Sequence, residues 1–396
     1  MNVACVGGGP AGLYFAILMG RDGTHEVTVL ERNPPGVTYG WGVVFWDDLL
    51  DELRAGDPET ADAINANAFR WDGQRLAVEG SEPVHLPGHG YGIGRRRLLE
   101  ILAARAVALG VEVRFEHEVD DLHGVADADL IVACDGVSSR LREQHRDLFG
   151  TAVRVGRNKY IWLGTRKVFD AFTFGFVETE AGWIWCHAYG FNSSTSTFIV
   201  ECSPETWAGL GFDRFGEEGT IAVLEHLFEP WLEGHGLRGT SHANDGASWL
   251  NFRTLSNETW HHENLVLMGD AAHTTHFTIG SGTKLALEDA LGLAAELRED
   301  SPLAAALERY ASGRRRAVAP AQSDARFSAQ WFENVPRYAG LEPERFFALL
   351  RARRSPLLPR IPPPVYYRLH RATRNAAATR RLRRWAAPRI KAHYRP

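Results

Sequence analysis

Acidic residues are missing from the end of this 396-residue chain: Arg351 to Pro396 holds 14 Lys and Arg and no Asp or Glu. The preceding residues carry 30 basic against 49 acidic side chains, so the net charge of -5 conceals an acidic body and an anion-attracting tail. Cysteine is scarce too. Cys5, Cys134, Cys186 and Cys202 lie apart without C-x-x-C spacing, which argues against a disulfide framework or a zinc site and predicts buried free thiols. No segment approaches the roughly 20 continuous apolar residues that a membrane-crossing helix needs. The opening MNVACVGGGP has neither the basic nor the apolar region of a secretory leader, so a cytoplasmic location without membrane attachment is expected. Internal repeats are absent. With 44% hydrophobic and 23% charged residues, the composition is that of an ordinary globular chain, long enough for two domains or one discontinuous one.

What is present begins with a βαβ pattern. Asn2 to Val6 is a short apolar run that ends in Gly7-Gly8-Gly9-Pro10, Ala11 to Gly20 has helical periodicity, and Glu26 to Leu30 reads as a strand. Such a unit implies a parallel sheet. Leu98 to Leu109 predicts an amphipathic helix, Val111 to Phe115 and Leu130 to Cys134 predict strands, and Leu265 to Met268 predicts another before a helix from about Thr283. The middle differs. FTFGFVET, GWIWCHAYG and STFIVECS read as neighbouring antiparallel strands inserted beside the nucleotide domain. Beyond Ala317 the chain reads as helical and arginine-rich, broken by Pro356, Pro359 and Pro362 to Pro364.

The fold expected is therefore α/β: a Rossmann-like nucleotide-binding domain with an inserted antiparallel β-sheet substrate domain and a helical, basic C-terminal segment. Segments 1–72, 95–157 and 250–320 form the first part of this division, 73–94 and 158–249 the second, and 321–396 the third.

Three motifs carry chemistry. In Gly7-x-Gly9-Pro10-Ala11-Gly12, the first glycine permits a tight turn, the second lets backbone approach a pyrophosphate, and the third lets helix pack on strand. Amides at the helix N-terminus suit phosphates, and Glu31, followed by Arg32, can accept the ribose hydroxyls of FAD or NAD while repelling a 2′-phosphate. In the second and third motifs, Cys134-Asp135-Gly136 and Gly269-Asp270-Ala271-Ala272-His273, an acid follows an apolar strand at the edge where ligands sit in parallel sheets. Asp270 is suited to a ribityl hydroxyl. Gly280-Ser281-Gly282-Thr283 opens a helix whose amides can stabilise negative charge on a reduced flavin.

Together these residues resemble the group A aromatic hydroxylases of the flavoprotein monooxygenase superfamily, over residues 1 to about 330. The resemblance implies the GR2-type FAD-binding fold without a separate NAD(P)H domain. It also implies NADH or NADPH as transient electron donor, O2 as co-substrate, and oxygen delivery through a flavin C4a-hydroperoxide to an electron-rich ring. Arg95 matches an arginine that contacts FAD in that family. Phe277 stands where the family usually has proline, beside the flavin. Gly40 to Phe45, Gly156 to Thr165 and Ser196 to Cys202, with His276-Phe277, are similar to a narrower branch that includes salicylyl-CoA 5-hydroxylase. That branch implies hydroxylation of salicylyl-CoA to gentisyl-CoA. A 2-aminobenzoyl-CoA substrate, a free aromatic of the indole or tryptophan type, and a reductase without oxygen insertion remain alternatives.

The arginine-rich tail suits the phosphates of a CoA thioester, although a solvated helical surface accounts for it equally. Nucleic acid is disfavoured, because the tail has few interleaved aromatics and the body is acidic. His187 and His276 are the candidates to orient or deprotonate the substrate, with a buried structural histidine as the bland alternative. His273-x-x-His276 lacks a partnering acid or cysteine at ligand spacing, so no metal is expected. Monomer and homodimer are both compatible with the sequence.

Overall fold

A computed structural model describes residues 1–239 and 248–375. The rest of the basic tail, from 376 onward, lies outside the described residues.

Two sheets organise the molecule. The first has six strands in the order His261–His262, Leu265–Leu267, Leu130–Ala133, Asn2–Val6, Glu26–Leu30, Glu112–Arg114. All neighbours run parallel except the short antiparallel edge strand His261–His262. Val3 lies opposite both Val27 and Leu130, and the central strands are apolar because helices cover both faces. Helix Pro10–Gly20 is buried from Ala11 to Met19, as a helix that is apolar all round must be. It packs against helices Arg95–Ala108 and Gly282–Arg298.

The nine-stranded second sheet is mainly antiparallel, with one parallel pairing between Phe69–Val78 and Phe172–Thr179. The aromatic segments form Phe172–Thr179, Gly182–Asn192 and Thr195–Cys202, adjacent and antiparallel as their alternation predicts. Along the middle strand Ile184, Cys186 and Ala188 join a core under helices Glu217–Leu227 and Glu229–Leu232. Trp185, His187 and Tyr189 point to the opposite face, where Trp331, Phe332, Phe346 and Phe347 pack beside Trp185. Strands Gly42–Phe45 and Ala152–Thr165 carry the chain from the first sheet into the second, and Val84–Gly94 and Leu250–Ser256 carry it back.

Element boundaries differ from the sequence pattern in small ways. The amphipathic helix begins at Arg95 rather than Leu98, and the strand after it shrinks to Glu112–Arg114. The C-terminal helical region begins earlier, as a helix spanning Leu303–Phe332 with Pro320 inside it. Leu307, Tyr310, Ala311 and Val318 pack on the first core before the proline, and Trp331 and Phe332 pack beside the second sheet after it, so the helix is anchored on both sides. Downstream, the prolines act as the sequence implies: helix Pro343–Arg351 ends before Pro356, and Pro363 opens the last described helix. All four cysteines are free and buried. Among the described residues no helix is long and apolar enough to cross a membrane.

One buried carboxylate ties these layers together. Asp289, on helix Gly282–Arg298, is fully buried. Its Oδ2 accepts from the Gly269 amide at 3.1 Å and from His273 Nε2 at 2.7 Å. Its Oδ1 accepts from Arg314 Nε at 2.8 Å, so two helices and the turn after strand Leu265–Leu267 meet on one group. Burial acts to raise the Asp289 pKa, but the adjacent His273 and Arg314 outweigh it and hold the carboxyl below its ordinary value.

A lowered folded-state pKa stabilises above the unfolded value near 4, and that contribution is lost as pH falls through the folded value. Asp289→Asn is therefore expected to cost roughly 3 kcal/mol in urea unfolding at neutral pH. The gap from wild type should narrow below about pH 4. A gap independent of pH would contradict the charge-based account.

Candidate active site

A cavity of about 600 Å³ separates the edge of the first sheet from the aromatic face of the second. Its first wall is the glycine turn. Gly7 sits at φ +119°, and a Cβ there would lie 2.4 Å from the Cys134 carbonyl oxygen. A Cβ on Gly12 would come within 2.2 Å of the Gly7 oxygen and 2.6 Å of Cys134 Sγ, so the helix abuts the strand only as glycine. Gly9 is different: a Cβ would meet only the Cys134 oxygen, at 4.0 Å, leaving its open side to the cavity. No side chain caps the helix that starts at Pro10, and Gly9, Pro10 and Ala11 line the cavity.

The acids come next. Asp270 opens into the cavity but is enclosed by protein behind it, and this desolvation raises its pKa against the opposing pull of Arg95 and His273. Arg95, at the start of its helix, also lines the cavity. Its Nε is buried without a hydrogen-bond partner, and burial lowers its pKa while Asp270 resists that shift. Asp135 Oδ2 accepts from the Arg140 amide at 2.9 Å, whereas its Oδ1 is buried and unpartnered; desolvation raises its pKa. Asp135 itself stays off the wall, where Gly136, Val137 and Ser138 take its place. Opposite, Gly280 adopts φ +65° and Gly282 starts an uncapped helix, with nothing near its Cβ position. Gly280, Gly282 and Thr283 line the cavity, so that helix turns its positive end toward it.

Orphaned polar atoms, open glycines and two uncapped helix starts fit a large polyanionic cofactor with a polar ribityl chain. The fit is less direct at the far end. Glu31 Oε2 accepts from the Gly8 amide at 2.7 Å, and its Oε1 accepts from Asn33 N at 2.8 Å and Nδ2 at 2.6 Å. Glu31 thus braces the glycine turn, and neither it nor the exposed Arg32 is a cavity wall residue. Gly7, Gly12 and Gly269 likewise shape the walls from behind.

The second wall is aromatic, with Trp46, Trp71, Tyr160, Trp162, Phe172, Phe174, His187, Tyr189 and Phe277 around the space. Phe277 packs 4.9 Å from Tyr160 and 5.6 Å from His187, ring centre to ring centre. His276 turns away from the space: its Nδ1 lies 3.1 Å from Thr278 Oγ1, and burial pushes its pKa down to about 4. The structure therefore separates the two candidate histidines. Only His187 reaches the cavity wall, because it lies on the strand face that carries Trp185 and Tyr189.

Sequence reasoning passed over most of these rings and did not single out Arg353 and Arg354, which also line the cavity. The sequence marked the aromatic segments as neighbouring strands but not which face meets the cavity, and nothing in the tail's charge distinguished those two arginines. Arg353 donates to Ser328 Oγ at 3.0 Å, to the Leu350 oxygen at 3.0 Å and to the Thr278 oxygen at 2.9 Å. Desolvation lowers its pKa to about 9, and the neighbouring charge of Arg354 adds to this. Among the described residues, no cluster of His, Cys, Asp and Glu could hold a metal ion.

The family model described as FAD binding domain matches residues 1–324. The chain belongs to this family of FAD-dependent flavoprotein monooxygenases. It is 42% identical over 349 residues to salicyloyl-CoA 5-hydroxylase of a Streptomyces species, a match covering 85% of this chain and 66% of that protein. The chain thus spans about two thirds of that relative's length. It is 37% identical to 3-hydroxy-4-methyl-anthranilyl-[aryl-carrier protein] 5-monooxygenase of Streptosporangium sibiricum, covering 85% of this chain and 90% of that one. The fold is also that of 2-methyl-3-hydroxypyridine-5-carboxylic acid oxygenase, with a TM-score of 0.69 at 20% identity over 86% of this chain and 93% of the other. FAD is the cofactor, NAD(P)H the electron donor typical of the family, and the enzyme an aromatic hydroxylase.

Gly7→Ala places a side chain at a positive φ against backbone, and such strain costs about 1–3 kcal/mol. It is expected to lower FAD content roughly tenfold after dialysis, read by flavin absorbance. Gly23→Ala, at φ +63° with nothing within 4 Å, should retain FAD. Equal FAD content in both variants would contradict the role given to the turn.

Proposed function

We propose that this enzyme hydroxylates the ring of an aromatic CoA thioester, with salicylyl-CoA as substrate and gentisyl-CoA as product. The observation that carries this reading is a single cavity joining a flavin-type wall to an aromatic wall edged by Arg353 and Arg354. Similarity to a salicyloyl-CoA hydroxylase supports the choice of ring and thioester.

In this reading segments 1–72, 95–157 and 250–320 serve FAD, segments 73–94 and 158–249 serve the ring, and 321–396 contributes cations. Gly9 and Ala11 would receive the pyrophosphate, with Gly7 and Pro10 shaping the turn and Gly12 letting the helix abut the strand. Glu31 and Arg32 attend the adenosine end. Arg95 and Asp270 would meet the ribityl chain, with Asp135 and Gly269 supporting that wall from behind, while Gly280, Gly282 and Thr283 would face the flavin ring. Bound FAD supplies the group that takes hydride from NADH or NADPH and activates O2. The protein's own contribution is a dry, aromatic space that holds the substrate ring flat near Phe277. Oxygen is directed para to the ring hydroxyl, the position that phenolate donation makes electron-rich. Arg354, exposed beside the cavity, can meet the thioester's phosphates as water enters and leaves.

The test is NAD(P)H oxidation with product mass on salicylyl-CoA, 2-aminobenzoyl-CoA, free salicylate and tryptophan. Salicylyl-CoA should stimulate oxidation and gain one oxygen atom. Arg354→Gln should raise its KM roughly fivefold, about 1 kcal/mol, and flatten the salt dependence. Stimulation by a free aromatic alone would overturn the thioester reading.

A further inference from the structure

Glu201 is a carboxylate that the reaction described so far does not use. It sits on strand Thr195–Cys202, directly opposite Trp185 of the neighbouring strand, and is 1% exposed. A charge this deep needs full compensation. Asn158 Nδ2 donates to its Oε1 at 2.8 Å, and Trp185 Nε1 donates to its Oε2 at 3.2 Å. The same Oε2 lies 3.4 Å from His187 Nε2.

We propose that Glu201 fixes the tautomer of His187, so that Nδ1 accepts the proton of a substrate's ring hydroxyl in the cavity. This rests on the phenolic substrate proposed above. An ionised carboxylate only accepts, so the shared proton resides on Nε2 and the lone pair on Nδ1. Nδ1 has no recorded hydrogen bond among the described residues, and His187 lines the cavity. Phe174, Phe277 and Phe332 surround the imidazole at ring distances of 5.3, 5.6 and 4.9 Å, and none competes for a proton.

The polar groups facing the pair are Asn158 on strand Ala152–Thr165, His276 before the turn Phe277–Ile279, and Arg353 after helix Pro343–Arg351. Burial and Arg353 lower the His187 pKa, against Glu201, which raises it. Burial tends to raise Glu201, but His187, His276 and Asn158 hold it below its ordinary value. Glu201 therefore remains an anion able to stabilise an imidazolium formed beside it. In the step itself the substrate O–H bond breaks and an Nδ1–H bond forms. The electron pair stays on the phenolate oxygen and enriches the para carbon. When that carbon later releases its own proton to solvent and regains aromaticity, the imidazolium returns its proton to the product oxygen. His187 is the base; Glu201 is a positioning residue.

Glu201→Gln keeps the shape but removes the charge that holds the proton on Nε2 and stabilises the imidazolium, so His187 becomes a weaker base toward the substrate. The experiment is ultraviolet difference titration of salicylyl-CoA bound to the oxidised holoenzyme. Wild type should bind phenolate at neutral pH, and Glu201→Gln should move that ionisation up by roughly 2 pH units, a 100-fold change in acidity. Turnover of the variant should fall about 100-fold at pH 7 and recover as pH rises past the bound ligand's ionisation. His187→Phe, which keeps the ring but has no base, should behave alike, and the double variant should be no worse. Retained FAD and an unchanged melting temperature show that folding is intact. Should Glu201→Gln misfold, the His187→Phe titration decides alone. Identical titrations in wild type and either folded variant would overturn this inference while leaving the thioester reading intact. If salicylyl-CoA perturbs no spectrum in wild type, both fall.

Discussion

The structure depends first on a charge that water cannot reach. Asp289 collects the Gly269 amide, His273 and Arg314, and through them it holds the turn after strand Leu265–Leu267 against two long helices. That turn carries Asp270 into the cavity. Without the buried carboxylate, the apolar strand would still pair with Leu130–Ala133, and the residues after it would keep the bonds of Asn257 and Arg142 to the Ala271 and Ala272 carbonyls but lose those of the Gly269 amide and His273. A hydrophobic core is tolerant of small shifts, whereas a set of charge-assisted hydrogen bonds is directional. The geometry of the flavin wall is inherited from that directionality.

The substrate wall uses the same device a second time. Glu201 is as deeply buried as Asp289, and its partners are likewise a histidine and fixed donors. Its setting differs in one respect: His187 faces the cavity, while His273 faces the protein and stacks on Trp260 at 5.0 Å. Two buried carboxylate–histidine pairs thus serve opposite walls of one space. One holds a turn in place, and the other presents a lone pair to the substrate. Between them lies Phe277, packed against Tyr160 and His187 and adjoining Thr278, whose carbonyl Arg353 holds. This contact ties the turn after helix Pro343–Arg351 to the centre of the cavity.

Much of the flavin wall was legible in the sequence because its constraints are local. A glycine at positive φ, an acid after an apolar strand and a helix opening on Gly-Ser-Gly leave marks within a few residues. The aromatic strands were legible by their alternation. What could not be read were contacts made across long chain separations. Glu201 and His187 occupy adjacent strands whose register appears only when they pair, and Arg353 reaches Thr278 from 75 positions away. His276 shows the converse. Its neighbourhood in the sequence suggested the cavity, yet the short turn Phe277–Ile279 sends the phenylalanine forward and the histidine back. Glu31, read as a ribose acceptor, also holds Gly8 and Asn33, since a conformationally free glycine turn needs bracing.

The central claim is that one cavity brings an activated oxygen atom to an aromatic ring. Turnover with salicylyl-CoA under ¹⁸O2, followed by mass analysis of the product, tests it most directly. The account predicts a product that carries one ¹⁸O atom on the ring, in an amount that follows NAD(P)H consumed. Unlabelled or unchanged thioester, with all reducing equivalents recovered as hydrogen peroxide or in a reduced substrate, would contradict it.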